Sequence, residues 1–358
     1  MKLVMTGTDG YIGSVMADHL MAEGHEVTGI DTGFYRSGWL FDGVRRIPRT
    51  ITKDVREITV DDLRGADAIV HLAELSNDPL GQLAPQVTFE INHQGSVRLA
   101  RLGREAGVTR FVYMSSCSVY GIGSDVPVTE ESPVNPQTAY AECKVLVEHD
   151  VGALAGDDFH PTFLRNATAF GASPRMRFDI VLNNLMGIAW TTGEVRMTSD
   201  GSPWRPLVHI RDISAVVAEV LQAPAESIHG QILNVGSEEQ NYRVREIAEI
   251  VSAAVPGCTT TFGPASADNR SYRVRFNKLG EVLPGFRCAW DAKAGAAELA
   301  AVFDRIGLDE ALFTSRGFTR LDQLNHLLTT GQLDERLRWH APGTEAVDTV
   351  AAAADGAR

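Results

Sequence analysis

Short apolar runs alternate with amphipathic stretches through the first half of the chain. The runs are bounded by glycine or charged residues, which is typical of buried strands, whereas the stretches between them repeat apolar residues at helical spacing. The pattern predicts strands at Lys2–Thr6, Glu26–Ile30, Ala68–Leu72, Arg110–Met114 and Pro161–Arg165. It predicts helices at Tyr11–Ala22, Val87–Glu105 and about Thr138–Leu154. Strands that alternate with helices build βαβ units, so we expect an α/β fold with a doubly wound parallel sheet.

Beyond Gly171 the pattern is less regular and indicates a smaller α+β lobe. It predicts strands at Val195–Met197, Leu207–Ile210, Ile232–Asn234 and Ser271–Phe276. It predicts helices at Phe178–Thr191, Asp212–Gln222 and Val244–Ala254. We therefore divide the chain into a sheet domain over residues 1–170 and a lobe mainly over residues 171–340. Residues 341–358 contain no aromatic anchor, and we expect them to form a mobile tail.

The composition mainly excludes certain partners and kinds of site. The net charge of −13 argues against a nucleic-acid partner, which would need a basic patch. No stretch approaches the roughly 20 apolar residues of a membrane span. Cys117, Cys143, Cys258 and Cys288 lack the spacing of a zinc site or a disulfide framework. These features favour a cytoplasmic protein that has no structural metal and binds neither nucleic acid nor membrane.

Three glycines lie in the turn that joins the first strand to the first helix. Gly7, Gly10 and Gly13 are spaced three and three, which allows a tight turn and close approach of the backbone to a pyrophosphate. The free amides at the helix N-terminus favour phosphate groups. Asp31 ends the second strand, where a carboxylate accepts a hydrogen bond from the adenosine ribose and repels the 2′-phosphate of NADP. The turn therefore predicts a Rossmann-like site for NAD.

A second group of residues has the chemistry of a hydride-transfer site. Tyr140 and Lys144 are four positions apart in a helical stretch and therefore lie on one helix face. Ser116 follows a predicted strand, at the sheet edge where ligands bind in open α/β folds. Oxidation of an alcohol needs a base, and a free tyrosine with a pKa of about 10 is too weak an acid to supply phenolate at neutral pH. A neighbouring ammonium lowers that pKa, so we predict Tyr140 as base, Lys144 as its activator and Ser116 as the orienting hydroxyl.

Together these motifs resemble the extended short-chain dehydrogenase/reductases, and within them the nucleotide-sugar epimerase/dehydratase family. The resemblance covers roughly Lys2 to Trp290. It implies that Asp54 and Val55 bracket adenine and that Lys144 also holds the nicotinamide ribose. The predicted cofactor residues are Gly7, Gly10, Tyr11, Ile12, Gly13, Asp31, Asp54, Val55, Leu72, Ala73, Asn92, Tyr140 and Lys144. By the same resemblance we expect a homodimer.

The lobe resembles the substrate-binding part of the same family. Asn184 lies in a segment similar to one that contacts sugar-nucleotide phosphates, and Arg205 and Arg270 lie in segments with a phosphate-binding arginine. An arginine fork suits a diphosphate because it donates two parallel hydrogen bonds. The resemblance thus implies a nucleotide-diphosphate sugar as substrate, bound by Ser116, Thr168, Asn184, Arg205 and Arg270. Arg175 and Arg177 could equally form surface ion pairs.

The residues after Ser116 separate the reaction classes of the family. Sugar 4,6-dehydratases carry an Asp-Glu pair where this chain has Cys117 and Ser118, so the acid and base of the elimination are missing. Keto-epimerase/reductases use a reactive cysteine in another register, and Cys117 is interpreted as a packed residue. The remaining pattern is similar to UDP-galactose and UDP-glucuronate 4-epimerases, in which NAD stays bound through a transient 4-keto sugar.

Two other functions stay open. A nucleotide-linked 4-keto-sugar reductase, or a C3/C5 keto-epimerase, would use the same Ser/Tyr/Lys set, and an inactive NAD-binding sensor would need only the glycine turn. Thr168 stands where these epimerases usually have asparagine, and Glu74 stands where alanine is usual after His-Leu-Ala. The loop Phe34–Gly43 matches no assigned function. The residues leave the nucleotide and the sugar open.

Overall fold

The computed structural model describes residues 1–76, 84–122, 126–197, 199–264 and 271–340. Its central sheet has seven strands, and every neighbouring pair in it is parallel. These strands are β1 Lys2–Thr6, β2 Glu26–Asp31, β3 Arg49–Thr52, β4 Ala68–His71, β5 Arg110–Ser116, β6 His160–Asn166 and β10 Ile232–Val235. The remaining strands are β7 Thr168–Phe170, β8 Glu194–Arg196, β9 Trp204–His209, β11 Asn241–Arg243 and β12 Thr259–Thr261.

Helices cover both faces of the central sheet. The α-helices are α1 Tyr11–Ala22, α2 Val60–Leu63, α3 Pro85–Thr88, α4 Ser96–Glu105, α5 Ala139–Gly152, α6 Val181–Thr192, α7 Ile210–Gln222, α8 Ala225–Ile228, α9 Val244–Ala254, α10 Asn277–Val282, α11 Ala292–Ile306, α12 Glu310–Phe313 and α13 Arg320–Thr329. A π-helical segment, Phe89–Gly95, joins α3 to α4, so the predicted helix Val87–Glu105 is continuous but widened in its middle. Short 3₁₀ helices lie at Val55–Glu57, Cys117–Tyr120, Glu238–Gln240 and Arg316–Phe318.

The order of strands places the ligand site. Across the sheet they run β3-β2-β1-β4-β5-β6-β10, so the chain changes direction between β1 and β4. In doubly wound sheets the crevice at this change lies beyond the carboxyl ends of the strands and binds the ligand. The predicted α/β fold with a Rossmann-like parallel sheet is therefore confirmed.

A second group of elements forms smaller sheets beside the first. β7 and β11 flank β9, and β8 pairs with β12. Helices α6, α9 and α11 pack against one another over a separate apolar cluster that contains Phe170, Leu182, Ile247 and Phe303. The chain also returns to the first sheet, because β10 pairs with β6 and α7 packs on α1.

One predicted strand is wrong. Residues Ser271–Phe276 bury alternate side chains, as their sequence indicates, but within the described residues they pair only through the bridge Val128–Val274. The amide of Arg275 and the carbonyl of Arg273 bond to Val128, and the described residues extend this ladder no further. The predicted alternation of buried side chains was thus correct. The sequence could not show that these residues lack a longer pairing with another strand among the described residues.

Within the described ranges, no helix combines the length and the apolar composition that a membrane crossing requires. The predicted tail over residues 341–358 lies outside the described residues.

Candidate active site

The glycine turn between β1 and α1 is closed so tightly that side chains would not fit. Gly7 has φ +81°, and a Cβ there would lie 3.0 Å from the backbone nitrogen of Ala73. A Cβ at Gly13 would lie 1.9 Å from the carbonyl oxygen of Gly7. The first helix therefore begins directly on the turn, and its N-terminal amides face the crevice, as a pyrophosphate site requires.

Asp31 lies at the end of β2 beside this turn. Its carboxylate accepts hydrogen bonds from the amides of Asp9, at 3.0 Å, and Gly33, at 2.8 Å. Burial and the neighbouring Asp9 carboxylate raise the pKa of Asp31 to about 6. Arg36 pairs with Asp9 at 2.6 Å, so the positive charge nearby is already compensated. The arrangement favours ribose hydroxyls, which can donate to the remaining lone pairs of the carboxylate.

The cavity along the turn has a volume of about 300 Å³. All but one of the predicted cofactor residues line it: Gly7, Gly10, Tyr11, Ile12, Gly13, Asp31, Asp54, Val55, Leu72, Ala73, Tyr140 and Lys144. The exception, Asn92, is buried one layer away, where its side-chain amide bonds both the amide and the carbonyl of Leu75. Asn92 therefore supports the loop that carries Leu72 and Ala73.

The predicted catalytic residues line this cavity together. Helix α5 begins just before Tyr140, where the Thr138 hydroxyl accepts the amide of Ala141 at 3.2 Å. The ammonium nitrogen of Lys144 lies 5.3 Å from the ring centroid of Tyr140 and donates to the carbonyl of Met114. Ser116 caps the 3₁₀ helix that follows β5, and its Oγ accepts the amide of Ser118 at 3.1 Å. The hydroxyl proton of Ser116 thus remains available to a ligand.

Glu74 is a functional candidate that the sequence reasoning did not identify. Its carboxylate forms an ion pair with Lys144 and accepts a hydrogen bond from the hydroxyl of Tyr113. Both members of the ion pair are buried, with 3% and 4% of their side chains exposed. Burial raises the pKa of Glu74, against the opposing effects of Lys144 and Tyr113. The one available signal was that Glu74 departs from the alanine usual at this position.

A second missed group consists of arginines above the cavity. Arg177 and Arg320 line it together with Tyr35, and the guanidinium of Arg320 lies 4.1 Å from the centroid of the Tyr35 ring. Arg177 forms a bidentate ion pair with Asp179, in which Nε and Nη2 lie 2.8 and 3.0 Å from the two carboxylate oxygens. Burial and the nearby Arg177 lower the pKa of Arg320 to about 10. Asp179 therefore compensates the charge of Arg177, and Arg320 adds a second positive charge to this wall of the cavity.

The loop Phe34–Gly43 is held by Arg175. Its guanidinium donates to the carbonyls of Tyr35, at 3.2 Å, and Gly38, at 3.0 Å, and lies 4.8 Å from the ring centroid of Trp39. Arg175 is thus a structural residue of this loop, and the loop carries Tyr35 into the cavity wall.

The predicted substrate residues are only partly brought together. Ser116 and Thr168 line the cavity, whereas Asn184 and Arg205 are not among its lining residues. Asn184 donates to the carbonyl of Phe178 at 2.8 Å, and Arg205 donates to the carbonyl of Trp204 at 2.9 Å. Arg270 lies outside the described residues.

Two residues of the lobe have structural roles. The ring of His209 accepts the amide of Arg211 and bonds Glu298 at 2.9 Å. Asp212 accepts the amides of Ala289 and Trp290. Both residues therefore hold the lobe to the chain that follows it.

Cys117 is a packed residue. It is 1% exposed, its thiol donates to the carbonyl of Arg165, and burial raises its pKa well above the ordinary value. A thiol in this state is a poor proton shuttle, because the thiolate that would accept a proton does not form near neutral pH.

NAD fits this site on two structural observations. A Cβ at Gly7 or Gly13 would meet neighbouring backbone atoms, and its absence lets the backbone of the turn approach a ligand closely. Asn166 also lines the cavity, and its Oδ1 is buried without a hydrogen-bond partner among the described residues. A buried acceptor of this kind calls for a donor, which a carboxamide or a sugar hydroxyl can supply.

Comparisons with known proteins agree with this geometry. The model of the NAD dependent epimerase/dehydratase family matches residues 3–236. The UDP-glucose 4-epimerase of Mycolicibacterium smegmatis is 29% identical over 315 residues, which cover 83% of this chain and 96% of that protein.

Solved structures with the same fold include enzymes of a different reaction class. The dTDP-glucose 4,6-dehydratase DesIV of Streptomyces venezuelae, with NAD and TYD bound, has a TM-score of 0.74 and 25% identity over 87% of this chain and all of that one. MoeE5 in complex with UDP-glucuronic acid and NAD has a TM-score of 0.73 and 25% identity over 85% of this chain and 99% of that one.

Proposed function

Because the chain belongs to the NAD dependent epimerase/dehydratase family, we propose that it inverts carbon 4 of a nucleotide-diphosphate sugar. The observation that carries the proposal is that Ser116, Tyr140 and Lys144 line one cavity with the predicted NAD residues, while Cys117 and Ser118 stand in place of the acid–base pair of a dehydratase. The family and its cofactor, NAD, confirm the expectations from the sequence.

The protein's own residues hold and move one proton. Ser116 donates a hydrogen bond to the sugar 4-hydroxyl and fixes it beside Tyr140, whose phenolate oxygen takes the hydroxyl proton. Lys144 stabilises the phenolate through its positive charge. NAD bound in this cavity would supply the acceptor, and then the donor, of the hydride at carbon 4. After the 4-keto sugar has rotated in the pocket, Tyr140 returns the proton to the oxygen on carbon 4 and the inverted alcohol leaves.

Elimination of water is disfavoured by the residues in place of the dehydratase acid pair and by the fixed position of Glu74. Cys117 is buried against the carbonyl of Arg165, and Ser118 carries no acid. The carboxylate of Glu74 is held between Lys144 and Tyr113. None of these three positions therefore supplies a mobile acid for a leaving hydroxyl.

Substrate class and setting extend the proposal. The relatives named above act on or bind nucleotide sugars, and we assign the diphosphate of the substrate to Asn184, Arg205 and Arg270. The four cysteines are free, which suits the reducing cytoplasm expected from the sequence. The homodimer expected from the resemblance belongs to the same proposal.

The fate of the hydride at carbon 4 distinguishes the reaction classes. An epimerase returns the hydride to the carbon from which it came, so the purified enzyme should interconvert two 4-epimers without added NADH. A substrate deuterated at carbon 4 should retain its label there in the inverted product. UDP-, GDP- and TDP-sugars should be screened, with Tyr140→Phe as the inactive control.

Three other outcomes would each assign another reaction. NADH consumed in proportion to product, from a keto sugar only, identifies the reductase. Loss of water with accumulation of a 4-keto-6-deoxy sugar identifies a dehydratase. Label lost to solvent from carbon 3 or carbon 5 identifies a keto-epimerase, so substrates labelled at those carbons should be run in parallel.

A further inference from the structure

Glu74 lies between the catalytic lysine and the core of the sheet. It follows β4 and lines the cavity, yet its side chain is almost completely buried. One carboxylate oxygen faces the ammonium of Lys144, and the other accepts the hydroxyl of Tyr113. A buried carboxylate is costly unless its charge is matched, and Lys144 matches it, while the hydroxyl of Tyr113 bonds one of the two oxygens.

The ammonium of Lys144 connects Glu74 to Tyr140. Its nitrogen donates to the carbonyl of Met114 and pairs with Glu74, and it lies 4.6 Å and 5.3 Å from the ring centroids of Tyr113 and Tyr140. An ammonium has three protons, so one remains for a further acceptor. The positive charge of Lys144 therefore acts on both Glu74 and Tyr140.

We propose that Glu74 is a positioning residue that neutralises Lys144 and thereby sets the pH at which Tyr140 becomes a base. A lone ammonium lowers the pKa of a neighbouring phenol strongly, whereas an ammonium paired with a carboxylate lowers it less, because the two charges act in opposite directions. The proposal rests on the proposed function, in which Tyr140 is the base. It distinguishes this chain from the pattern with alanine at this position, in which the ammonium has no such carboxylate.

The other groups near this pair do not carry the effect. Burial lowers the pKa of His71 to about 3, and its ring bonds Thr6 and Ser96, so it is neutral in the working range. Burial raises the pKa of Cys143 to about 12 and that of Tyr113 above its ordinary value. The charged neighbours each have a partner of their own: Glu148 with Arg165, and Arg177 with Asp179.

The same pairing acts on the cofactor. An uncompensated ammonium repels the positive nicotinamide ring of the oxidised form and leaves the neutral reduced form unaffected. Pairing with Glu74 removes this repulsion. The bound cofactor should therefore be held more fully in its oxidised form when Glu74 is present, which provides a measurement that does not depend on turnover.

The experiment compares wild type with Glu74→Gln, Glu74→Ala and Glu74→Asp. The pKa of Tyr140 is measured from the near-ultraviolet absorbance of phenolate, with each protein's Tyr140→Phe counterpart subtracted, and the pH profile of kcat is recorded in parallel. Loss of the charge in the Gln and Ala variants should lower the midpoint by about one pH unit. Glu74→Asp keeps the charge and should stay near wild type. The fraction of bound cofactor in the oxidised form should fall in the Gln and Ala variants.

Tyr113→Phe is the matched control, because it removes a hydrogen bond of Glu74 and keeps its charge, so the midpoint should hardly move. A midpoint that is unchanged or higher in folded Glu74→Gln and Glu74→Ala would overturn the proposal. If these two fail to fold, the double variant Glu74→Leu with Tyr113→Phe removes both partners together and takes their place. Failure of the proposed function is a separate result. Turnover by Tyr140→Phe would show that Tyr140 is not the base, whereas the titration of Tyr140 in the proteins that retain it would still report the influence of Glu74.

Discussion

Tyr140 is the residue on which the proposed chemistry depends most directly. Replacing it with phenylalanine removes the proton acceptor and keeps the ring, which lies near Lys144. We predict that Tyr140→Phe lowers kcat by roughly a hundred- to ten-thousandfold, the usual contribution of a general base. The NAD content of the purified protein should stay close to wild type, because the glycine turn and Asp31 are untouched.

The measurement is single-turnover and steady-state kinetics together with the NAD released on denaturation. Turnover near the wild-type rate would mean that the proton leaves by another route. Cys143→Ser, on the same helix but away from the cavity lining, is a suitable control and should retain activity.

At the residue scale, the sequence could predict groups whose spacing along the chain is itself the signal. Tyr140 and Lys144 share a helix face, and Gly7 to Gly13 form one turn, so local geometry implied their roles. The partnership of Glu74 with Lys144 joins two distant segments across β4 and α5, and no local rule connects them. Arg320 reaches the cavity from helix α13, which again only the folded chain reveals.

At the element scale, the predicted strands of the central sheet were confirmed because each is a short apolar run with polar bounds. β3 was missed: its sequence Arg-Thr-Ile-Thr is short and polar, and it lies at the edge of the sheet beside β2. Ile232–Asn234 was predicted as a strand but assigned to the lobe. The corresponding strand, β10, pairs with β6, which shows that sequence order does not fix which sheet a strand joins.

The start of α1 gives a prediction at this scale. A Cβ at Gly13 would meet the carbonyl oxygen of Gly7 at 1.9 Å, so Gly13→Ala must push the helix away from the turn. We predict loss of bound NAD and a lower Tm, since forced overpacking typically costs about 1–3 kcal/mol. Calorimetric melting and NAD content are the measurements.

Gly152→Ala is the matched control, because a Cβ there meets only the Phe163 ring at 3.9 Å, an ordinary contact. It should leave both the Tm and the NAD content near wild type. Equal NAD content in Gly13→Ala and wild type would show that the close packing of helix and turn is not needed for cofactor binding.

At the scale of the whole molecule, the chain closes on itself around the part of the cavity beside Asp31. The C-terminal segment, residues 316–340, returns to the first sheet after the lobe is complete. Its Trp339 donates to the carbonyl of Thr32 at 2.9 Å and packs against Phe34, and Gln323 donates to the carbonyl of Phe34. Leu324 and Leu327 are buried in the core of the sheet domain. This return was not predicted, because the family pattern read from the sequence ended near Trp290.

Arg320 is the cavity residue that this segment supplies. Its side chain is buried, it donates to the carbonyl of Arg175 at 3.2 Å, and it forms no ion pair within the described parts of the chain. Asp179 acts on it electrostatically but is held by Arg177, so this buried guanidinium is incompletely compensated unless a ligand provides further negative charge. The pyrophosphate of NAD is an anion of the kind that this position would accommodate, and an arginine binds it with charge-assisted hydrogen bonds.

We therefore predict that Arg320→Met weakens NAD binding by roughly ten- to a hundredfold, which corresponds to the loss of about 1.5–3 kcal/mol for a hydrogen bond to a charged group. Methionine keeps much of the packing volume against Tyr35, so the Tm of the NAD-free protein should change little. Arg338→Met is the control, since Arg338 lies on the same segment but pairs with Glu57 at the surface. Calorimetric titration with NAD and, separately, with the nucleotide diphosphate would distinguish the two ligands. Unchanged NAD affinity with weakened binding of the nucleotide diphosphate would place Arg320 in the substrate site, and unchanged affinity for both would leave its charge without a ligand role.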